Sequence, residues 1–350
     1  MILQNDEKHQ ALDSITIERE RWRGVDLNTR ISYFRSIYIE HQDLVNAEKM
    51  IKCKALEIDN LHAEQDDDFV YKPTVTHGVG ITVIGEPGAG KSTFAEQMIA
   101  QDPPIRTLMA TYLPTIYMKV PNTPTEKSMS RALLEAMGHP DLKGTADDMS
   151  RRGIQLMRRC RVRRLIIDDF QDIPATRIKG VQRMGDWIRR IIDSTSCVVV
   201  AMGTPAALIV RDSNDQLQRR MQATVNLLPF IVTGSGKISE RSSVQRWMHL
   251  LESIDAKLPL AESSCLSSPS MATRLMQGTN ARFGHLSTVL KHGIRCAVET
   301  GSERIEVDHL QVAFKRAFGS AADNGNPFDP DYDGEPLTGA GQAFARVVAK

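Results

Sequence analysis

The residues with the clearest chemical meaning are Gly85-Glu86-Pro87-Gly88-Ala89-Gly90-Lys91-Ser92, followed by Thr93. Their spacing is G-x-x-x-x-G-K-[ST], and the apolar run Gly80–Ile84 precedes them while a helical pattern follows. Glycines let the backbone curl so that its N–H groups point inward, at the positive end of the next helix, and that arrangement cradles phosphates. Lys91 is placed to reach the β- and γ-phosphates, and the Ser92 hydroxyl is placed to reach Mg²⁺. The spacing therefore predicts a site for Mg-ATP built on Gly85, Pro87, Gly88, Ala89, Gly90, Lys91, Ser92 and Thr93.

Such a site needs a carboxylate on the metal side, carried at the end of a buried strand. Leu165-Ile166-Ile167-Asp168-Asp169 supplies it. Asp168 is the expected metal-side acid, and Asp169 stands where many related ATPases carry a glutamate that polarises the attacking water. An aspartate is one methylene shorter, so slow hydrolysis is expected, or help from Gln171 or a neighbouring subunit. A second apolar run, Cys197–Met202, ends in Gly203-Thr204, and Thr204 is positioned to sense the γ-phosphate. Further on, Arg219 and Arg220 form a basic pair, either of which could act as an arginine finger on a neighbour's nucleotide.

These residues must be held by a scaffold, and the hydrophobic pattern says which. Val79–Ile84, Thr115–Val120, Leu165–Asp168, Cys197–Met202 and Val225–Leu228 read as strands. Helical intervals, Ser92–Gln101, Thr125–Met137, Ala146–Arg159 and Gly180–Ser194, separate them. Strands alternating with helices predict an α/β fold with a five-stranded parallel sheet flanked by helices. After residue 235 only helical patterns remain, in Val244–Ile254, Ser270–Met276, Phe283–Glu299 and His309–Phe318, which predicts a C-terminal helical lid. Phe283, Leu286, Val289, Leu290, Ile294 and Ala297 share one stripe, and Asp308 is the expected N-cap of the last helix.

The expected divisions are an N-terminal helical arm (1–68), a nucleotide-binding domain (69–235), the lid (236–318) and a flexible acidic tail (319–350). Phe34, Ile37, Tyr38 and Leu44 recur at helical spacing within the arm, and Asp66-Asp67-Asp68 with Lys72-Pro73 marks its end, so that the core begins near Phe69. Gly, Pro and Asp dominate 319–337.

Bulk properties exclude little. Length 350 allows two domains, 41% hydrophobic and 25% charged residues are ordinary for a globular chain, and a net charge of +1 requires any attraction to nucleic acid to come from local patches. No apolar run is long enough to span a bilayer, so no membrane partner and a cytoplasmic location are expected. Cys53, Cys160, Cys197, Cys265 and Cys296 are scattered and odd in number, which fits reduced thiols.

The order of these pieces resembles the AAA+ ATPases and, within them, the TniB/TnsC transposition regulators. The resemblance is carried by Ile84 to Thr93, Ile166-Ile167-Asp168-Asp169-Phe170-Gln171, Met202-Gly203-Thr204-Pro205, Gln218-Arg219-Arg220 and the segment Gly278 to Leu286. It spans about residues 70–318. It implies Walker A contacts at Lys91 and Ser92, a Walker B pair at Asp168 and Asp169, sensor 1 at Thr204, the finger at Arg219 or Arg220, and sensor 2 at Arg282. It further implies an ATP-dependent homo-oligomer, ring or helical filament, on double-stranded DNA. That assembly links a target-selection protein or guide-RNA complex to a transposase and comes apart on hydrolysis.

DNA gripped in this way is held chiefly through phosphates. Lys119 and Lys127 flank a loop after the second strand and are the favoured contacts, while Arg151 and Arg152 begin a dense basic run that continues through Arg158, Arg159, Arg161, Arg163 and Arg164. That run reads equally well as a solvated helix face. Two other functions fit the motifs. An AAA+ helicase loader or replication initiator is one, against which no winged-helix pattern follows residue 318; an ATP-binding scaffold with little hydrolysis is the other, supported by Asp169.

Overall fold

The computed structural model describes residues 18–39, 42–66, 78–107, 111–175, 178–227, 237–332 and 334–345. The chain divides into two compact units, one made of Glu40–Leu228 and the other of Met1–Ile39 with Pro229–Lys350. The first is the α/β unit predicted from the strand pattern. Its sheet holds β1 (Val79–Gly85), β4 (Thr115–Lys119), β5 (Arg164–Asp168), β6 (Val198–Gly203) and β7 (Met221–Leu227), in the order β4-β5-β6-β1-β7 and parallel throughout. All seven positions of β1 are buried, as are all of β5 and β6, so their apolar residues run on without alternation, in β5 between the buried Arg164 and Asp168.

Helices cover the sheet. They are α2 (Gln42–Asp66), α3 (Lys91–Gln101), α4 (Glu126–Ala136), α5 (Ala146–Arg159) and α6 (Ile178–Ser194), with the short α7 (Leu208–Asp212) and α8 (Asp215–Arg220) before β7. Thr125 and Thr145 begin α4 and α5 with capping boxes, each side chain accepting from the third residue of its helix. Trp187 of α6 is fully buried and donates its indole N–H to Ser130 Oγ of α4 at 2.9 Å. A small hairpin, β2 (Ile105–Arg106) with β3 (Thr111–Tyr112), was not predicted, because two-residue strands carry no periodicity.

The second unit is helical, with α1 (Leu27–Ser36), α9 (Lys237–Lys257), α10 (Pro269–Thr279), α11 (Phe283–Glu299) and α12 (Val307–Phe318). Most of the predicted stripe of α11 is its buried face: Leu286, Val289, Leu290, Ile294 and Ala297 are each at most 1% exposed, and Phe283 packs partly buried against the same core. Glu306, not Asp308, occupies the N-cap of α12, forming a capping box with His309.

Two expected divisions need correction. The stretch 1–68 is not one arm: the chain leaves the helical conformation at Ile37–Ile39, α1 joins the helical unit, and α2 lies against β7, β6 and β1 of the sheet unit. Phe34 is buried in the core of the helical unit, where Arg30 also donates to Glu303, whereas Leu44 is buried in the sheet unit. The described residues after 318, 319–332 and 334–345, are not a loose tail either. Phe328 and Leu337 are 1% and 3% exposed in the helical core, and Arg274 holds the carbonyls of Pro327 and Asp329. A Gly- and Pro-rich composition misled here because a few large apolar anchors suffice to dock irregular chain. Asp67, Asp68, Phe69, Lys72, Pro73, Leu228 and the expected boundary at 235 lie outside the described residues.

Candidate functional site

The parallel sheet puts the ends of its strands along one edge, and the chain's path makes a crevice there. From β1 the chain crosses to the edge strand β4 and returns through β5 and β6; it then passes over β1 to β7. Such a reversal leaves the loop after β1 open for a ligand. That loop is Glu86–Gly90. Gly88 and Gly90 take φ values of 78° and 87°, the left-handed region that an L side chain resists. Gly90 is also the N-cap of α3 and offers no side-chain acceptor, so the first N–H groups of the helix are left for a ligand. Lys91, Ser92 and Thr93 form the first turn, with Ser92 and Thr93 exposed. At Gly85 the approach is close, since an added Cβ would meet Ala89 Cβ at 2.9 Å.

Lys91 Nζ donates to the carbonyls of Gly85 at 2.8 Å and Glu86 at 3.1 Å. Burial pushes its ammonium below the ordinary value, while the charges of Asp168, Asp169 and Glu86 pull it back. A partly desolvated cation inside a loop of N–H groups is suited to an anion.

The predicted Walker residues meet. Ser92 Oγ donates to Asp168 Oδ2 at 2.7 Å, and Asp168 is 1% exposed. From Asp168 a connected network runs outward along the strand ends. The Asp169 amide donates to Asp168 Oδ1 at 2.9 Å, Gln171 Nε2 donates to Asp169 Oδ1 at 3.2 Å, and Thr204 N–H donates to Gln171 Oε1 at 3.1 Å. Gly203 is needed for this bridge, because a Cβ there would lie 2.7 Å from Gln171 Oε1. Asp169 has φ 58°, a conformation that aspartate tolerates better than longer side chains, which gives a backbone reason for aspartate at this position.

Two further side chains come from β4. Lys119, the last residue of the strand, pairs with Asp169 Oδ2 at 3.4 Å. Tyr117, two residues earlier and hence on the same face, donates its hydroxyl to Asp168 Oδ2 at 2.9 Å. Burial, then the hydrogen bond to Asp168, pushes the Tyr117 phenol up, so it remains a donor at neutral pH. Sequence reasoning passed over Tyr117; its spacing from Lys119 on a strand was the available signal.

The remaining predicted residues are more dispersed. Arg219 is exposed at the end of α8 with no ion pair among the described residues, whereas Arg220 is held by Asp193 at 2.6 Å. Lys127 is exposed in the first turn of α4. Arg151 pairs with Asp147 four residues earlier, and Arg152 with Asp141, both at 2.6 Å. Arg190 contacts Glu126 and Asp147, so the starts of α4 and α5 lie together. The rest of the basic run, from Arg158 at the end of α5 onward, sits at the other edge of the sheet, where β5 begins. Arg164 is buried there against Asp102 and Thr115, Arg158 donates to Ser194 O at 2.7 Å, and Arg161 lies over the Tyr112 ring. Arg282 belongs to the helical unit, as the N-cap of α11.

The loop, the paired aspartates and the strand order define an AAA+ P-loop NTPase fold. Among solved structures the chain is similar to the Orc1 protein of Aeropyrum pernix, determined in complex with DNA, with TM-score 0.53 and 13% identity over 83% of this chain and 69% of that one. It is similar also to Cdc6p from Pyrobaculum aerophilum, with TM-score 0.52 and 14% identity over 82% of this chain and 70% of the other. No curated protein sequence matches it. The family model of the bacterial TniB protein matches residues 50–228, from within α2 to just beyond β7, and the chain belongs to the TniB family. Among the described residues no helix is long and apolar enough to cross a membrane.

Proposed function

We propose that this chain is an ATP-dependent regulator of DNA transposition, which assembles on double-stranded DNA and links a target selector to a transposase. ATP hydrolysis releases the assembly. The observation that carries this reading is the continuous network from Ser92 through Asp168 and Asp169 to Gln171 and Thr204, in a chain of the TniB family.

The donor set suits Mg-ATP. Lys91 and the loop N–H groups would hold the phosphates, and Ser92 and Asp168 would hold the metal. Magnesium, when bound, supplies positive charge to the phosphate oxygens. Asp168 keeps its carboxylate fixed between three donors. Asp169 accepts a hydrogen bond from the attacking water, and Gln171 holds Asp169 in line with Thr204, whose place beside this bridge suits a sensor of the γ-phosphate. The exposed Arg219 is better placed than the paired Arg220 to reach a neighbouring subunit's nucleotide, and Arg282 is the sensor of the helical unit. Lys119, Lys127, Arg151 and Arg152 supply phosphate contacts to DNA, so affinity falls steeply with salt and varies little with sequence.

A scaffold that binds ATP and hardly hydrolyses it is the second reading, favoured by one observation: Lys119 and Gln171 both occupy Asp169. Phosphate release by wild type and Asp169→Ala, with and without duplex DNA, separates the two. A DNA-stimulated rate lost in the variant supports the ATPase; equal background rates overturn it.

A further inference from the structure

Two hydroxyls converge on one oxygen of Asp168. Ser92 Oγ donates to Oδ2 at 2.7 Å and Tyr117 Oη donates to the same atom at 2.9 Å, while the Asp169 amide takes Oδ1 at 2.9 Å. Because Asp168 is only 1% exposed, these donors stand where water would otherwise solvate the carboxylate. The two hydroxyls differ in what carries them. Ser92 lies in the first turn of α3, directly after the phosphate-binding loop. Tyr117 sits within β4, in register with Ile166 of β5, and its backbone is fixed by the sheet.

We propose that Tyr117 is a positioning residue for the metal side of the nucleotide site: its phenol hydroxyl, anchored in β4, holds the Asp168 carboxylate turned toward Ser92 so that both are set for a divalent cation. The proposal rests on the nucleotide reading given above. Without the phenol, Oδ2 keeps Ser92 alone, and the carboxylate gains freedom about its terminal torsion, which has no sharp staggered wells of its own. Partners that orient a metal-side ligand in this way are worth roughly tenfold or more in metal affinity. Loss of Tyr117 should therefore weaken the response to magnesium and leave the grip of Lys91 and the loop on the phosphates intact.

The test is binding of a fluorescent ADP analogue to the full chain, titrated with Mg²⁺ and repeated in EDTA. Tyr117→Phe is expected to raise the Mg²⁺ concentration at the midpoint by roughly tenfold, with affinity in EDTA unchanged. An unchanged midpoint overturns the proposal, and so do equal losses with and without Mg²⁺, since the phenol would then serve the fold alone. A wild-type chain that binds no nucleotide in either condition removes the nucleotide reading itself, and the proposal with it. Should Tyr117→Phe not fold, 3-fluorotyrosine placed at position 117 keeps the hydroxyl and reports on it. Its ¹⁹F resonance should move when Mg²⁺ is added to the ADP-bound protein and stay in place with ADP in EDTA. A resonance insensitive to Mg²⁺ overturns the proposal.

Discussion

Lys119 Nζ lies 3.4 Å from Asp169 Oδ2, joining the end of the edge strand β4 to the residue that follows β5. One side chain is a proposed DNA contact and the other is the acid proposed to act on the attacking water, so the pair would tie together the two activities proposed for this unit.

Lys119→Ala should therefore raise phosphate release in the absence of DNA while weakening DNA binding. Both partners are well exposed, and such a pair is worth at most about 1 kcal/mol, so the rise should not exceed about fivefold. Steady-state phosphate release at saturating ATP reads it directly, and a rate at or below wild type would show that the ion pair does not restrain Asp169.

Gln171 connects Asp169 to the Thr204 amide, which makes it more than a neighbour of the acid. Gln171→Leu removes both hydrogen bonds at similar volume and should slow hydrolysis about tenfold, the equivalent of one net hydrogen bond of about 1.4 kcal/mol. Nucleotide affinity should stay near wild type. Gly203→Ala, which crowds Gln171 Oε1, should give the same split between turnover and binding.

In the helical unit, Arg30 is 3% exposed at its side chain and donates to both oxygens of Glu303, and to the carbonyls of Val25, Trp22 and Pro259. The hydrogen bond from Arg30 holds the Glu303 carboxyl below its ordinary value of 4.5, against the opposing effect of burial. A lowered folded-state value means stability that is fully present above the ordinary carboxylate range and lost as pH falls through the lowered value. Glu303→Gln should cost about 2–4 kcal/mol at pH 7, because it leaves a buried guanidinium short of a charged partner. Urea unfolding should show the gap between variant and wild type closing in strong acid; a gap constant with pH would contradict the assigned cause.

Phe328 tests whether the chain beyond α12 belongs to the core. It is 1% exposed and its ring packs 6.1 Å from that of Phe314. Phe328→Ala should lower stability by about 3–5 kcal/mol, the range for a large aromatic removed from a close-packed site. A denaturation midpoint like that of wild type would return this segment to the status of a loose tail.

How far the sequence could be read depended on whether the signal was local. Val79–Gly85, the loop through Ser92 and the acids at Asp168 and Asp169 were legible because the buried strands carry apolar runs and a phosphate loop needs its glycines and lysine at fixed intervals. Helices α5 and α11 were read to the residue, since each carries an apolar stripe and Thr145 caps the first of them. What escaped was tertiary. Strand spacing could put Tyr117 on the face of Lys119, but not show that its hydroxyl ends on Asp168, 51 residues away. The split of 1–68 was hidden for the same reason, because α1 and α2 are both amphipathic and only their distant partners differ. Arg164, read with the rest of the basic run as either a DNA contact or part of a solvated helix face and strand entrance, is buried by its contacts with Asp102 and Thr115.

The helical unit is assembled from both ends of the chain, and the Arg30 to Glu303 pair spans 273 residues. That arrangement imposes a timetable on synthesis. Domains fold as units while the chain emerges, so the Glu40–Leu228 unit can be complete and holding nucleotide while α1 still waits for a partner that has not been translated. Ile31 and Phe34 of that helix share their core with Phe328, so they lack their native cover until the far end of the chain has been made.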